Sequence, residues 1–538
     1  MPDWIERFSG TRPVLLLAPH GGRRPPRSEL EPGPPRKSND LRTAELTLEL
    51  AERTGASAIV NRARDRNSLD LNRVSHVRRF APWLFELLLD SVREQIASVG
   101  EARVLVVHGW NAIQAGCDVG IGARLDGHQF VRVREGEVTI PERFLPHLLA
   151  FAARCAKAGI QVTFGVRYPA AAKENLLQVF TPRYREDRDP AVRELSRLGA
   201  EGRIAAVQLE LAVPLRWPGS IRDRFVRELE PLILASEPPA LPGASESASR
   251  HLLPASPRRL SLEFHDLAAG IGGFTGIECG HDGRRTARFL VCLGRSRLGL
   301  FTGEETARDG LCCAGLAWTT EPGDRVAVHY DGPILLFSRT DPFLDLEAGL
   351  DGADLSHLQA RLEWSAIART ALPESAARTG RVTGIVEVDG FRHNVDAPGV
   401  IGPLPTGASA WRERCVLHAT FEDDLSVSVS SIVGAHESTS GEILRCARAE
   451  PLLSARIHVQ RGPDGLTPEA FRADVVTRSG SLRIFGHVTT AVPVVRTGER
   501  ARTLTVFGLA RFRIGERTGQ GTFEVSKLLD EPRAMPQG

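Results

Sequence analysis

Hydrophobic positions follow two different periods along this chain, and the change falls near residue 235. Before it, short apolar runs alternate with longer stretches whose apolar residues recur three and four apart. The runs VLLLA (14–18), ASAIV (56–60), VLVVHGW (104–110), QVTFGV (161–166) and AAVQLELAV (205–213) predict buried strands. Between them, LRTAELTLELAERTG, PWLFELLLDSVREQIASVG and FLPHLLAFAARCAKAG carry apolar residues at helical spacing, and each stops at glycine. Strands alternating with helices imply a mostly parallel sheet with helices on both faces, because parallel neighbours need a crossover that covers the sheet.

Residues 236–258, SEPPALPGASESASRHLLPASPR, lose all periodicity and gain Pro and Ser, which predicts a linker. Beyond it the period drops to two. RTARFLVCLGRSRLGLF, DRVAVHYDGPILLFSR, GRVTGIVEVDGFRHNV, RCVLHATFEDDLSVSVSSIV and TLTVFGLARFRIGE alternate between Gly and Asp turns and predict short antiparallel strands. The expected organisation is multidomain: an α/β domain over 1–235, the linker, and two all-β barrels over 259–375 and 376–538.

Composition narrows the function classes. A formal net charge of +2 supplies no overall attraction to nucleic acid or to an anionic membrane. No apolar run approaches the roughly 20 residues of a membrane span, and MPDWIERFSG does not read as a secretory signal. The cysteines, at 117, 155, 279, 292, 312, 313, 415 and 446, contain no C-x-x-C pair, so reduced thiols and a cytoplasmic location are expected.

Four signals stand at strand ends of the α/β region: His20 after VLLLAP; RNSLDLNR with Arg66, Asp70, Asn72 and Arg73; His108 in VLVVHGWN; and Glu210 in AAVQLELAV. Open α/β sheets bind ligands outside the carboxyl ends of their strands. Two imidazoles there can hold a zinc ion with an open position, and a glutamate in an apolar strand is costly unless it has a partner or a task. Asn72 and Arg73 offer an amide and a planar fork suited to a carboxylate. Each signal has a plainer reading. A strand-end histidine is by default a hydrogen-bonded structural residue, a strand glutamate commonly pairs with arginine, and DLNR alone reads equally as an Asp–Arg cap. Their joint placement in one fold pattern favours a site.

LLLAPHGG, the ND-LRT segment, RNSLDLNR, VLVVHGWN and VQLEL resemble, in order, the landmarks of N-formylglutamate amidohydrolase-like proteins, which are similar to zinc carboxypeptidases and aspartoacylase-type deacylases. The resemblance spans roughly residues 12–215. It implies a zinc-exopeptidase-like fold with Zn²⁺ on His20 and His108 and Glu210 as general base or acid. Asn72 and Arg73 would hold the substrate carboxylate, and Arg66 would bind substrate or steady the oxyanion. The implied reaction is hydrolysis of an N-acyl amino acid, N-formyl among them, or a related amide. Related sites read H-x-x-E, with the glutamate as ligand; here Arg23 stands at that spacing, and a cation cannot ligate a metal. Asp40, which matches an acidic position of the family, is the expected third ligand, with Asp70 second.

In the second half, VTGIVEVDGFRHNVDAPGV, then WRERCVLHATF and the closing GQGTFEVSK, resemble paired lipocalin-like proteins related to carotenoid hydratases and tocopherol-cyclase-like barrels. That implies lipocalin-like barrels enclosing an apolar ligand. The acidic-His-Ser-Trp run of that group is replaced by VIGPLPTG after Gly399. The expected activity is therefore metal-dependent amide hydrolysis with a lipocalin-like module appended. The alternative is a degenerate hydrolase fold joined to a lipid- or isoprenoid-binding module, and Arg23 is the residue that favours it.

Overall fold

The computed structural model describes residues 2–31, 36–234, 259–280, 284–306, 311–321, 324–367, 377–402, 411–422, 425–434, 437–446, 448–497 and 502–529. It divides into two compact units, Met1–Pro25 with Arg36–Arg250, and Pro26–Pro35 with His251–Gly538. The expected linker, 236–258, lies outside the described residues. No helix among the described residues is long and apolar enough to cross a membrane.

The first unit is built on strands β1 (Ile5–Phe8), β2 (Arg12–Ala18), β3 (Ala56–Asn61), β4 (Ala102–Gly109), β5 (Gly116–Gly120), the hairpin β6 (Ala123–Asp126) and β7 (Gln129–Arg132), β8 (Gln161–Phe164) and β9 (Ile204–Leu211). Its main sheet has the order β1-β3-β2-β4-β9-β5-β8. The β3-β2-β4-β9 centre is parallel, while β1 and β5 run antiparallel to β3 and β9. The expected mostly parallel sheet is present; the antiparallel insertion of β5 was not legible, because GCDVG is too short to show a period. All eight residues of β9 are buried, as a central strand covered on both faces requires. α1 (Thr43–Thr54) covers one face of the sheet, and α2 (Val74–Phe80) and α3 (Trp83–Val99) share an apolar layer on the other. The opposite layer includes α1, α4 (Leu145–Lys157) and α6 (Ser220–Leu234), with α5 (Pro190–Ala200) on the α3 side. Gly55 ends α1 in the left-handed region, φ 71°, where its N–H reaches Ala51 O.

Among the described residues the second unit is built of strands, apart from one short helix, α7 (Leu346–Asp351), and the helical turn Pro342–Leu344 that precedes it. Strands β10 (Arg259–Asp266), β11 (Ile271–Cys279), β12 (Arg284–Leu293) and β13 (Arg297–Thr306) precede the short β14 (Leu311–Cys313) and β15 (Leu316–Glu321). Then come β16 (Arg325–Phe337), β17 (Asp354–Ala366), β18 (Arg378–Val388) and β19 (Phe391–Gly402). Pairing of β13 with β16 and of β10 with β19 closes β10–β13 and β16–β19 into an eight-stranded barrel. Nine further strands between Trp411 and Leu528 form a second antiparallel sheet. Among the described residues no ladder joins its two ends; the link between them passes through Leu452 and Leu453, whose N–H groups donate to Gly441 O and Val476 O.

Two features differ from the expected layout. Residues Arg378–Gly402 complete the first barrel, so one sheet gives way to the next between 402 and 411 and not at 375/376. The barrel interior is also no empty lumen. Trp364, Tyr330, Phe264, Phe289 and Phe301 are fully buried on its strands, with the Phe301 ring 4.3 Å from that of Tyr330. A void of about 590 Å³ lies instead where barrel meets second sheet, bordered by Leu267, Ile367, Pro398 and Phe512. A third difference is that residues 26–31 group with the second unit. There Arg27 N–H donates to Asp345 Oδ2 (3.0 Å), and Arg502 Nη1 donates to Glu29 O (2.9 Å) and Glu31 O (2.8 Å).

Candidate metal centre

β2, β4 and β9 are neighbours, so strand order alone brings His20, just past β2, His108 near the end of β4 and Glu210 near the end of β9 to one edge of the sheet. His108 and Glu210 are direct partners across the β4–β9 ladder. After His20 the chain turns against the end of β3. A Cβ on Gly22 would lie 2.0 Å from Arg64 O, and one on Gly21 would lie 2.6 Å from the Ala44 Cβ. The glycine pair of LLLAPHGG thus serves close backbone passage.

Asp40 N–H donates to His20 O (2.9 Å), which fixes the returning chain beside the histidine. Its Oδ2 stands 2.8 Å from His108 Nδ1 and 3.3 Å from His20 Nδ1, and Arg66 Nη1 donates to its Oδ1 at 2.9 Å. His20, Asp40 and His108 are all buried, and one ligand atom from each lies within 4.8 Å of the others. Burial would raise the Asp40 carboxyl, but hydrogen bonds from His108 and His20 and the fields of His20 and Arg66 outweigh it. The group is held well below the usual carboxylate range.

These residues fit a metal ion. Two imidazoles and an ionised carboxylate are a zinc-type donor set, and His108 Nε2 is buried with no hydrogen-bond partner. The surroundings resemble a supporting shell, since ligating histidines and carboxylates ordinarily hold outer partners. Arg66 occupies the second Asp40 oxygen, and Asp70 Oδ1 sits 2.7 Å from His20 Nε2. Asp70 is itself drawn below its ordinary range by that histidine, against burial. It therefore stands behind His20, outside the three-residue cluster. Arg23, at the H-x-x-E spacing, is exposed, and its N–H reaches Ala63 O (3.4 Å).

Glu210 is 6% exposed, and burial pushes its carboxyl up to about 7; His108 and Gln208 oppose the rise and Asp40 adds to it. Gln208 Nε2 donates to Glu210 Oε1 (2.7 Å), and Asn175 Nδ2 donates to Gln208 Oε1 (2.9 Å).

Residues 260–528, half of the chain, match the family model described as a domain of unknown function (DUF7064). The chain belongs to this family. No curated protein matches it. Among solved structures, kievitone hydratase from Nectria haematococca is similar over 50% of this chain and 89% of its own, at 9% identity and a TM-score of 0.33. An AttH-like protein from Nitrosomonas europaea is similar over 50% and 91%, at 11% identity and 0.34. N-formylglutamate amidohydrolase from Ralstonia eutropha is similar over 43% of this chain and 95% of its own, at 12% identity and 0.29.

The DUF7064 match ends short of the α/β unit, so the candidate metal centre lies outside the segment that defines the family. Of the other residues the sequence singled out, Asn72 N–H donates to Asp70 Oδ1 (3.0 Å), while its own Oδ1 is buried without a partner. Arg73 is 54% exposed, with Nε 3.8 Å from Glu174 Oε2. Sequence reasoning missed Gln208 and Asn175. Gln208 had a signal, since it precedes Glu210 by two in VQLEL and so shares its strand face. It also missed Tyr168, whose ring lies 5.9 Å from Trp110 with the Arg167 guanidinium over both. Asp118 holds that loop by accepting Val166, Arg167 and Tyr168 N–H groups.

Proposed function

We propose that the α/β unit hydrolyses the amide bond of an N-acyl amino acid, with N-formyl as the smallest acyl group, or of a related carboxylate-bearing amide, using a zinc ion on His20, Asp40 and His108. The buried His20–Asp40–His108 cluster, across one ladder from Glu210, is the observation that supports this most. Arg23, the residue that favours the degenerate-fold alternative, is exposed, and Asp40 is the carboxylate we assign to the metal in its place.

When bound, such an ion supplies Lewis-acid polarisation and an activated water at neutral pH. The rest falls to side chains of this protein. Glu210, titrating near 7 through burial, accepts a proton from the attacking water and passes it to the amide nitrogen as the C–N bond breaks. Gln208 holds Oε1 and so fixes the plane of that carboxyl. Arg66 keeps Asp40 ionised and oriented; its Nε, buried without a hydrogen-bond partner, is the donor left for a developing oxyanion. Asn72 and Arg73 take the substrate carboxylate. The Arg73–Glu174 contact is long and exposed, so opening it costs about 0–1 kcal/mol. For the second unit we propose small-molecule binding in the 590 Å³ cleft instead of along the barrel axis.

The test uses the whole chain, because residues 26–31 group with the second unit. Bound metal is measured on purified protein, and N-formyl and longer N-acyl amino acids are assayed with and without added Zn²⁺. Bound metal with hydrolysis of one class is expected. Absence of metal, with no hydrolysis restored by Zn²⁺, overturns the reading.

A further inference from the structure

Arg216 is 1% exposed, and no carboxylate lies within ion-pairing distance of it among the described residues. Its guanidinium hydrogen-bonds to backbone alone, with its carbon 5.1 Å from the centre of the Trp217 ring: Nε donates to Leu211 O (3.1 Å), Nη2 to Trp110 O (2.8 Å) and Nη1 to Leu41 O. The identity of those carbonyls matters. Leu41 follows Asp40, Leu211 follows Glu210, and Trp110 comes two residues after His108. Gly109, next to His108, is the close-approach point: a Cβ there would lie 2.5 Å from the guanidinium carbon.

We propose that Arg216 is the positioning residue of the candidate metal centre, a buried fork that locks the three chain segments carrying Asp40, His108 and Glu210 into one register. The guanidinium is planar and presents its donors in fixed directions, so three acceptors bound to it cannot shift independently. Metal and catalytic constellations tolerate misplacement of only about 0.5 Å, and the three segments come from distant parts of the chain. A buried cation without an ion pair is costly. Burial pulls the Arg216 guanidinium down to about 10 and the charges of Asp40 and Glu210 oppose that fall, so such a residue is understandable where it organises a cluster of carboxylates.

The inference rests on the proposed metal reading and is tested by metal binding instead of turnover. Wild type, Arg216→Met, Arg216→Lys and Gly109→Ala are compared by Zn²⁺ titration and by the visible spectrum of the Co²⁺-loaded protein, with far-UV circular dichroism as the folding control. Arg216→Lys keeps the charge and loses the fork; Gly109→Ala keeps the arginine and displaces it. Both are expected to raise the metal Kd by about tenfold or more and to change the Co²⁺ spectrum while the fold persists, and Arg216→Met to do so at least as strongly if it folds. If the folded variants bind as wild type does, with an unchanged Co²⁺ spectrum, the positioning role is wrong. If wild type itself binds no metal, the failure belongs to the proposed function.

Discussion

His108 Nδ1 stands 2.8 Å from Asp40 Oδ2, with both side chains buried. A carboxylate shared by two imidazoles and backed by an arginine is pre-ionised for a cation, because those contacts outweigh the upward push of burial. Asp40→Asn keeps the shape of this residue and removes the charge. The variant is expected to fold and to lose metal affinity by at least about tenfold, read as metal content after dialysis; wild-type content in Asp40→Asn would remove Asp40 from the ligand set.

Glu210→Gln tests the proton acceptor separately from the metal. Gln208 can still bond to the amide, so metal content is expected to stay at the wild-type level while turnover falls by about 10²–10⁴. A variant with wild-type kcat would assign the proton transfer elsewhere.

Arg73→Ala addresses carboxylate capture. Because Arg73 is exposed and only loosely held by Glu174, its removal is expected to leave fold and metal intact. If its contact is the same in ground and transition states, KM rises about tenfold or more with little change in kcat. Steady-state kinetics on the best substrate decide the point, and an unchanged KM refutes the assignment.

Glu263 makes the second unit pH-sensitive. Burial, then the charge of Glu524, pushes its carboxyl up to about 7 against the pull of Thr522 and Arg414. A folded pKa above the unfolded value of 4.5 means that stability is fully present below about pH 4.5 and is lost as pH rises through about 7. With its partial exposure allowed for, the loss is about 2 kcal/mol. Glu263→Gln is expected to abolish it, so the Tm advantage of the variant grows between about pH 5 and pH 8. An advantage that does not change with pH would place the carboxyl in water.

Arg502→Ala removes the two carbonyl contacts that hold residues 29 and 31 on the second unit. A loss of about 1–3 kcal/mol and faster proteolysis within residues 26–31 are expected, measured by limited digestion. Undiminished protection would show that Arg502 does not secure the segment.

Both architectures were legible in the sequence, because periods of 3.6 and 2 record which side of each element meets the core, a local property. So was the placement of His20, His108 and Glu210 at one edge of the sheet, since each ends or lies within an apolar run and the strand ends of a parallel sheet converge. What followed from long-range packing was not legible. Asp40 is named only through the family resemblance, with Asp70 as its rival; the return of the chain to His20 O, which sets the Asp40 carboxylate beside both imidazoles, follows from long-range packing, as does the exposure of Arg23. The grouping of residues 26–31 with the second unit, the closure of the first barrel by Arg378–Gly402 and the three carbonyls gathered by Arg216 likewise join residues far apart in sequence. Periodicity fixes which face of an element is buried, but it carries no record of which distant segment covers that face; that pairing is decided when loops close and buried polar groups find partners.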